Sequence, residues 1–150
     1  MSHPLKRVLF VCMGNACRSQ MAEAFARVYG HDAMVAASAG LTPAMAVMPD
    51  TIRAMAEKDI DLRNQFPKSI YHLGRSKFDL VVNMTGFPLP EDIGAPVEEW
   101  IVADPVVMKY EEHCKVRDEI EHLVMNLIMK VRREQHAPRF RGQGSGRLKV

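Results

Sequence analysis

Apolar residues gather in short continuous runs, separated by stretches where they recur every three or four positions. The first run, Lys6 to Cys12 (KRVLFVC), is too continuous for a half-exposed strand and predicts one buried on both faces. Gly14-Asn15 breaks it. Ser19 to Tyr29 then sets Met21, Ala24, Phe25 and Val28 on one helical face, with Gly30 as a stop. Met34 to Ala37 predicts a second strand, ending at Ser38-Ala39-Gly40. Pro49 opens a helix that runs to Lys58, with Ile52, Met55 and Ala56 inward. Phe78 to Met84 (FDLVVNM) predicts a third buried strand, and Glu99 to Val102 a short fourth before Asp104-Pro105. A long helix follows over Glu111 to Arg133. Its buried stripe is Val116, Ile120, Leu123, Val124, Leu127, Ile128 and Val131.

Strands alternating with helices predict an α/β fold: a single three-layer domain with a four-stranded, mostly parallel sheet flanked by helices. The expected domain is 1–133. Ligands in such folds sit at the carboxyl ends of strands, where the Cys12 and Asp104 turns both fall. Residues 134–150 form a basic tail, with Arg139, Arg141, Arg147 and Lys149 set against Glu134. Gly142, Gly144, Ser145 and Gly146 make it flexible. A solvated tail and a docking arm for an acidic partner are its two readings.

Composition narrows the function classes. The 150 residues, 47% hydrophobic and 25% charged, suit one soluble domain. A net charge of +2 gives no argument for nucleic acid. No apolar run reaches the ~18–20 residues of a membrane span, and the polar start lacks a signal-peptide core. Nucleic acid and membrane are therefore not expected partners. The three cysteines, Cys12, Cys17 and Cys114, are too few and uneven for a disulfide scaffold. A reducing, cytoplasmic compartment is expected, where a thiol stays free to react.

Cys12-Met13-Gly14-Asn15-Ala16-Cys17-Arg18-Ser19 links the first strand to the first helix. A loop running into a helix N-terminus points backbone N–H groups at one spot, and the helix dipole adds positive potential there. Gly14 and Asn15 tolerate the left-handed angles that let such groups converge into a nest. This makes Met13 to Arg18 a phosphate-binding loop. Arg18 offers a fork of donors matched to two oxygens of a tetrahedral oxyanion. The same field favours the Cys12 thiolate, and Ser19 can donate its hydroxyl to it. No metal-ligand spacing appears, and neither a metal nor a cofactor is expected.

These residues, together with Ser38-Ala39-Gly40, FDLVVNM and Asp104-Pro105, resemble the low-molecular-weight protein tyrosine phosphatase superfamily, which includes thioredoxin-coupled arsenate reductases. The resemblance spans Lys6 to Arg133. It implies that Cys12 is the nucleophile and Arg18 the oxyanion clamp. It implies that Asn15, Ser19 and Ser38 brace the loop, and that Asp104 is the general acid and later the base for water. Cys17 has two readings: a small loop residue, or a redox partner that traps oxidised Cys12 as a disulfide. Cys114 is expected to fill core space.

The resemblance has two gaps. Phosphotyrosine-specific relatives carry aromatic residues after the Asp-Pro pair, where this chain has Val106 and Val107, and another in the loop that here reads Leu41 to Met48 without one. The arsenate reductases carry two further cysteines after the third strand, where this chain reads Asn83 to Pro88. The leading expectation is a phosphomonoester hydrolase working through a cysteinyl-phosphate intermediate on a phosphotyrosine protein or small aryl phosphate. The alternative is an arsenate reductase, acting on an inorganic oxyanion and completed by an external low-molecular-weight thiol or redoxin.

Overall fold

The computed structural model describes residues 4–73 and 77–137. Four strands, β1 (Lys6–Cys12), β2 (Met34–Gly40), β3 (Leu80–Asn83) and β4 (Val97–Glu99), form one sheet in the order β2-β1-β3-β4. All three pairings are parallel. The helices are α1 (Arg18–Tyr29), α2 (Pro49–Ala56) and α3 (Tyr110–His136). Because β1 lies between β2 and β3, the chain leaves β1 toward one edge and returns to build toward the other. That reversal opens a crevice at the carboxyl end of β1, the usual ligand position in such sheets.

Strand β1 is buried on both faces, as its continuous apolar run requires. Val8, Phe10 and Cys12 join the large core under α1, α2 and α3. Leu9 and Val11 join a smaller cluster with Ile70 and Val81. Over that second face lie short 3-10 turns at Ile70–Leu73 and Glu91–Ile93. Helices α1 and α3 pack closely because Gly30 has no side chain: a Cβ there would stand 2.7 Å from Ile128 Cγ1.

Several boundaries and faces differ from expectation. Ser38, Ala39 and Gly40 continue β2, since each pairs with β1 through the Cys12–Gly40 level. Strand β4 lies two residues earlier than expected, at Val97–Glu99, because its register is set by pairing with β3. Trp100 and Val102 are apolar because they turn into the core after the ladder ends. Helix α2 stops at Ala56, and its inward face is Thr51, Ala54 and Met55, with Ala56 exposed. Val28 is about half exposed, at the margin of the α1 stripe. The α3 stripe is buried apart from Leu123, which packs on its edge. The helix passes Arg133 to His136, held by Lys6 to Glu134 (3.4 Å) and by Gln135 to the Ala33 carbonyl (3.0 Å). The rest of the expected tail, 138–150, lies outside the described residues.

Candidate active site

The loop after β1 is shaped by where its carbonyls go. Leu41 N–H donates to the Cys12 carbonyl (3.2 Å), Thr42 to Met13 (2.8 Å), Ala44 to Gly14 (2.9 Å) and Met48 to Ala16 (3.1 Å). Gln20 Nε2 donates to the Asn15 carbonyl at 2.9 Å. In a trans peptide the next N–H points opposite to the carbonyl. With these five carbonyls bonded outward, the N–H groups of Met13, Gly14, Asn15, Ala16 and Cys17 turn inward. They form the oxyanion nest at the start of α1.

Conformational freedom is used at Asn15, with φ of 50°; Gly14 keeps an ordinary negative or extended angle, contrary to expectation. Asparagine tolerates that angle better than other side-chain-bearing residues. The glycine the loop requires is Gly40, level with Cys12 on β2. A Cβ at Gly40 would stand 2.8 Å from the Met13 carbonyl and 3.0 Å from Asn15 Cβ and N.

Side chains then fix the direction of every hydrogen. Asn15 Oδ1 accepts from Lys68 N–H (2.9 Å), so its Nδ2 faces the other way. That amine donates to Ser19 Oγ (2.7 Å) and to Ser38 Oγ (3.0 Å). Ser38 passes its own hydrogen to Glu23, a buried carboxylate also paired with Arg27. Ser19, already an acceptor from Asn15, directs its hydrogen to Cys12 Sγ at 2.9 Å. The resemblance placed Asn15, Ser19 and Ser38 as loop supports, and these contacts are consistent with that role. Gln20, Glu23, Gly40 and Lys68 belong to the same frame and were not anticipated. The one sequence signal for Glu23 and Gln20 was their polarity on the first turns of a helix otherwise apolar on that side.

Arg18 is buried and extended. Its Nη1 is spent on the Met84 (2.6 Å) and Val102 (3.0 Å) carbonyls, just beyond β3 and β4. Its Nε is shielded and without a protein partner, and Nη2 lies 3.4 Å from Asp104 Oδ2. The Nε and Nη2 hydrogens share one edge of the guanidinium, the edge that grips two oxygens of an anion. Asp104 is half exposed at the mouth, where its Oδ1 accepts from Val106 N–H (3.1 Å). Cys12, Arg18, Asp104 and the nest thus share one site.

Cys17 is buried and bonded to Met48 Sδ at 3.1 Å, and burial pushes its thiol up to about 11. A buried thiol held that high is a slow nucleophile at neutral pH. Cys114 is only half-buried, outside the core it was expected to fill. Among the described residues, no group of three or more His, Cys, Asp or Glu could hold a metal ion. Among them too, no helix is long and apolar enough to cross a membrane.

A family model described as low molecular weight phosphotyrosine protein phosphatase matches residues 7–88, from β1 past β3. The chain belongs to this family. Family members act through a catalytic cysteine. One relative is the glutaredoxin arsenate reductase of Synechocystis sp., 34% identical over 131 residues, which cover 85% of this chain and 99% of that protein. A solved arsenate reductase in its phosphate-binding state matches with a TM-score of 0.79 and 34% identity, over 85% of this chain and 99% of that one. A low molecular weight protein tyrosine phosphatase from T. tengcongensis matches with a TM-score of 0.71 and 28% identity, over 83% and 99%. Within the family, the likeness is stronger to the arsenate reductases, which favours the alternative expectation over phosphomonoester hydrolysis.

Proposed function

We propose that this chain is an arsenate reductase whose Cys12 adduct is discharged by an external thiol, either a small thiol or a redoxin. The observation that carries the reading is a loop whose carbonyls are bonded outward, so that its N–H groups converge, beneath an Asp104 turn whose neighbours are valines. Val106 and Val107 border Asp104, half and 92% exposed, and offer nothing to grip a phenyl ring. A small inorganic oxyanion needs only the nest and Arg18. The arsenate reductases among the relatives support the same reading.

The chemistry follows from the geometry. The Cys12 thiolate, held by the Ser19 hydroxyl, attacks arsenic as the nest and Arg18 hold the remaining oxygens. Asp104 gives its proton to the departing oxygen, and water leaves as the S–As bond forms. The thiolate of an external thiol then attacks Cys12 Sγ. An S–S bond forms, the S–As bond breaks, and its electron pair stays on arsenic, which leaves as arsenite. A second thiol exchanges with the mixed disulfide and returns Cys12 to its thiol form. In total two thiols become one disulfide, arsenate gains two electrons, and one water is released.

One observation favours phosphomonoester hydrolysis as a second reading. Residues 83–88 carry no cysteine, whereas Asp104 stands where it could activate water against a phosphoryl-cysteine. A paired assay on one preparation separates the two. Arsenite should form with glutathione plus glutaredoxin, in proportion to thiol, and not with thioredoxin alone; aryl phosphate release should be slow. Brisk aryl phosphate hydrolysis with no arsenite from any thiol system would overturn the proposal in favour of the phosphatase. Arsenite formation with thioredoxin alone that serine replacement of Cys17 or Cys114 abolishes would overturn the external-thiol step; if neither replacement matters, thioredoxin is itself the external redoxin.

A further inference from the structure

His113 lies in the first turn of α3 and is wholly buried, where a polar ring requires partners. Its Nε2 is 2.9 Å from Thr51 Oγ1 on α2. The backbone of Pro105, the residue after Asp104, also bears on the ring. Proline has no amide hydrogen, so only its carbonyl can meet the imidazole, as an acceptor. With Nε2 turned to Thr51, a hydrogen for that carbonyl would have to stand on Nδ1. Yet Nδ1, shielded from solvent, makes no bond of full geometry. The Pro105 carbonyl is the backbone acceptor that bears on this ring.

The surroundings suit a neutral ring. Burial, the dominant influence, holds His113 below the ordinary histidine range, and Arg117 on α3 acts the same way. Asp50 on α2, the Pro105 carbonyl and Asp104 act against them. Thr51 also faces the Cys17 thiol in the anion loop.

We propose that His113 is a positioning residue for the general acid: as the Nδ1–H tautomer it takes the Pro105 carbonyl and holds Asp104 in register over the anion nest. Thr51, by donating its hydroxyl hydrogen to Nε2, fixes that tautomer. The role rests on Asp104 acting as the acid in the proposed reaction.

Two measurements test it. Nitrogen NMR of the imidazole in the unmodified protein should show Nδ1 protonated and Nε2 bare across about pH 6–8; a protonated Nε2 with a bare Nδ1 would overturn the assignment. Kinetics of three variants come second, read in arsenate reduction or aryl phosphate release, whichever the protein performs. His113→Asn sets an amide N–H where Nδ1–H stands, His113→Gln sets one where Nε2 stands, and His113→Phe keeps only the ring volume. His113→Phe and His113→Gln should lose about 10–100-fold in kcat, with phosphate affinity unchanged, and His113→Asn should restore most of it. In an Asp104→Asn background, His113→Phe should cost nothing more. Equal losses in the asparagine and phenylalanine variants, or a full loss in the Asp104→Asn background, would mean a merely structural ring. If the unmodified protein performs neither reaction, the proposed function fails, and the tautomer still decides for or against His113.

Discussion

The loop after β1 and the loop after β4 border the same crevice, yet they are held in opposite ways. In the first, the carbonyls of Cys12 through Ala16 all have donors, the polar side chains relay hydrogens in one direction, and the cysteine, asparagine, arginine and serine are buried. In the second, Asp104 is held by Val106 N–H and by one edge of Arg18, and Val107 projects into solvent. The difference separates two tasks. In the proposed reaction the rigid loop binds and activates, with groups suited to any tetrahedral oxyanion. In that proposed reaction the open loop moves the protons and meets the incoming thiol, so the fate of the adduct is decided there.

Substitutions should respect that division. The largest effect belongs to Cys12→Ser, which should lower turnover by about 10⁴–10⁶-fold while leaving phosphate binding by calorimetry intact. Survival of turnover would mean that the nest alone does the chemistry. Next comes Asp104→Asn, with a loss of about 10²–10⁴-fold, smaller for aryl phosphates with good leaving groups. A loss independent of the leaving group would remove Asp104 from proton transfer. Gly40→Ala comes third, since its methyl meets backbone atoms that cannot step aside. It should cost about 1–3 kcal/mol in denaturant unfolding and weaken phosphate binding about tenfold. Val107→Ala should be smallest, within about 0.5 kcal/mol in stability and without effect on phosphate affinity. A large loss of affinity there would show that the open rim shares in binding the anion.

The sequence exposed the parts of this site that are local. Cys12 to Ser19 is one contiguous stretch between a strand and a helix, and its chemistry could be argued from residue types and spacing alone. The α/β pattern set the Asp104 turn at a strand's carboxyl end, but its expected role as acid came only through the resemblance, because nothing local marks an Asp-Pro pair as facing a loop some ninety residues earlier. The frame was hidden for the same reason. Glu23 braces Asn15 through Ser38, Lys68 holds the Asn15 amide by its backbone, and residues 41–48 bond the loop carbonyls one after another. Each depends on a parallel register that no single segment announces. The long helix was read correctly along most of its stripe because a repeated period averages over errors. β4, three residues long, offered no period, and the apolar residues beyond it drew the expected strand toward them.

Arg18 carries a kinetic consequence. Its guanidinium is anchored to carbonyls beyond two different strands by contacts that need no anion. A long cationic side chain usually surrenders about 2 kcal/mol of rotamer freedom when it closes on a ligand. Here that freedom is lost when the chain folds. Capture of an oxyanion then has no arginine swing to wait for, and its speed is governed by diffusion and by the field at the crevice mouth. Added salt would slow arrival by screening that field, and departure would be left nearly untouched.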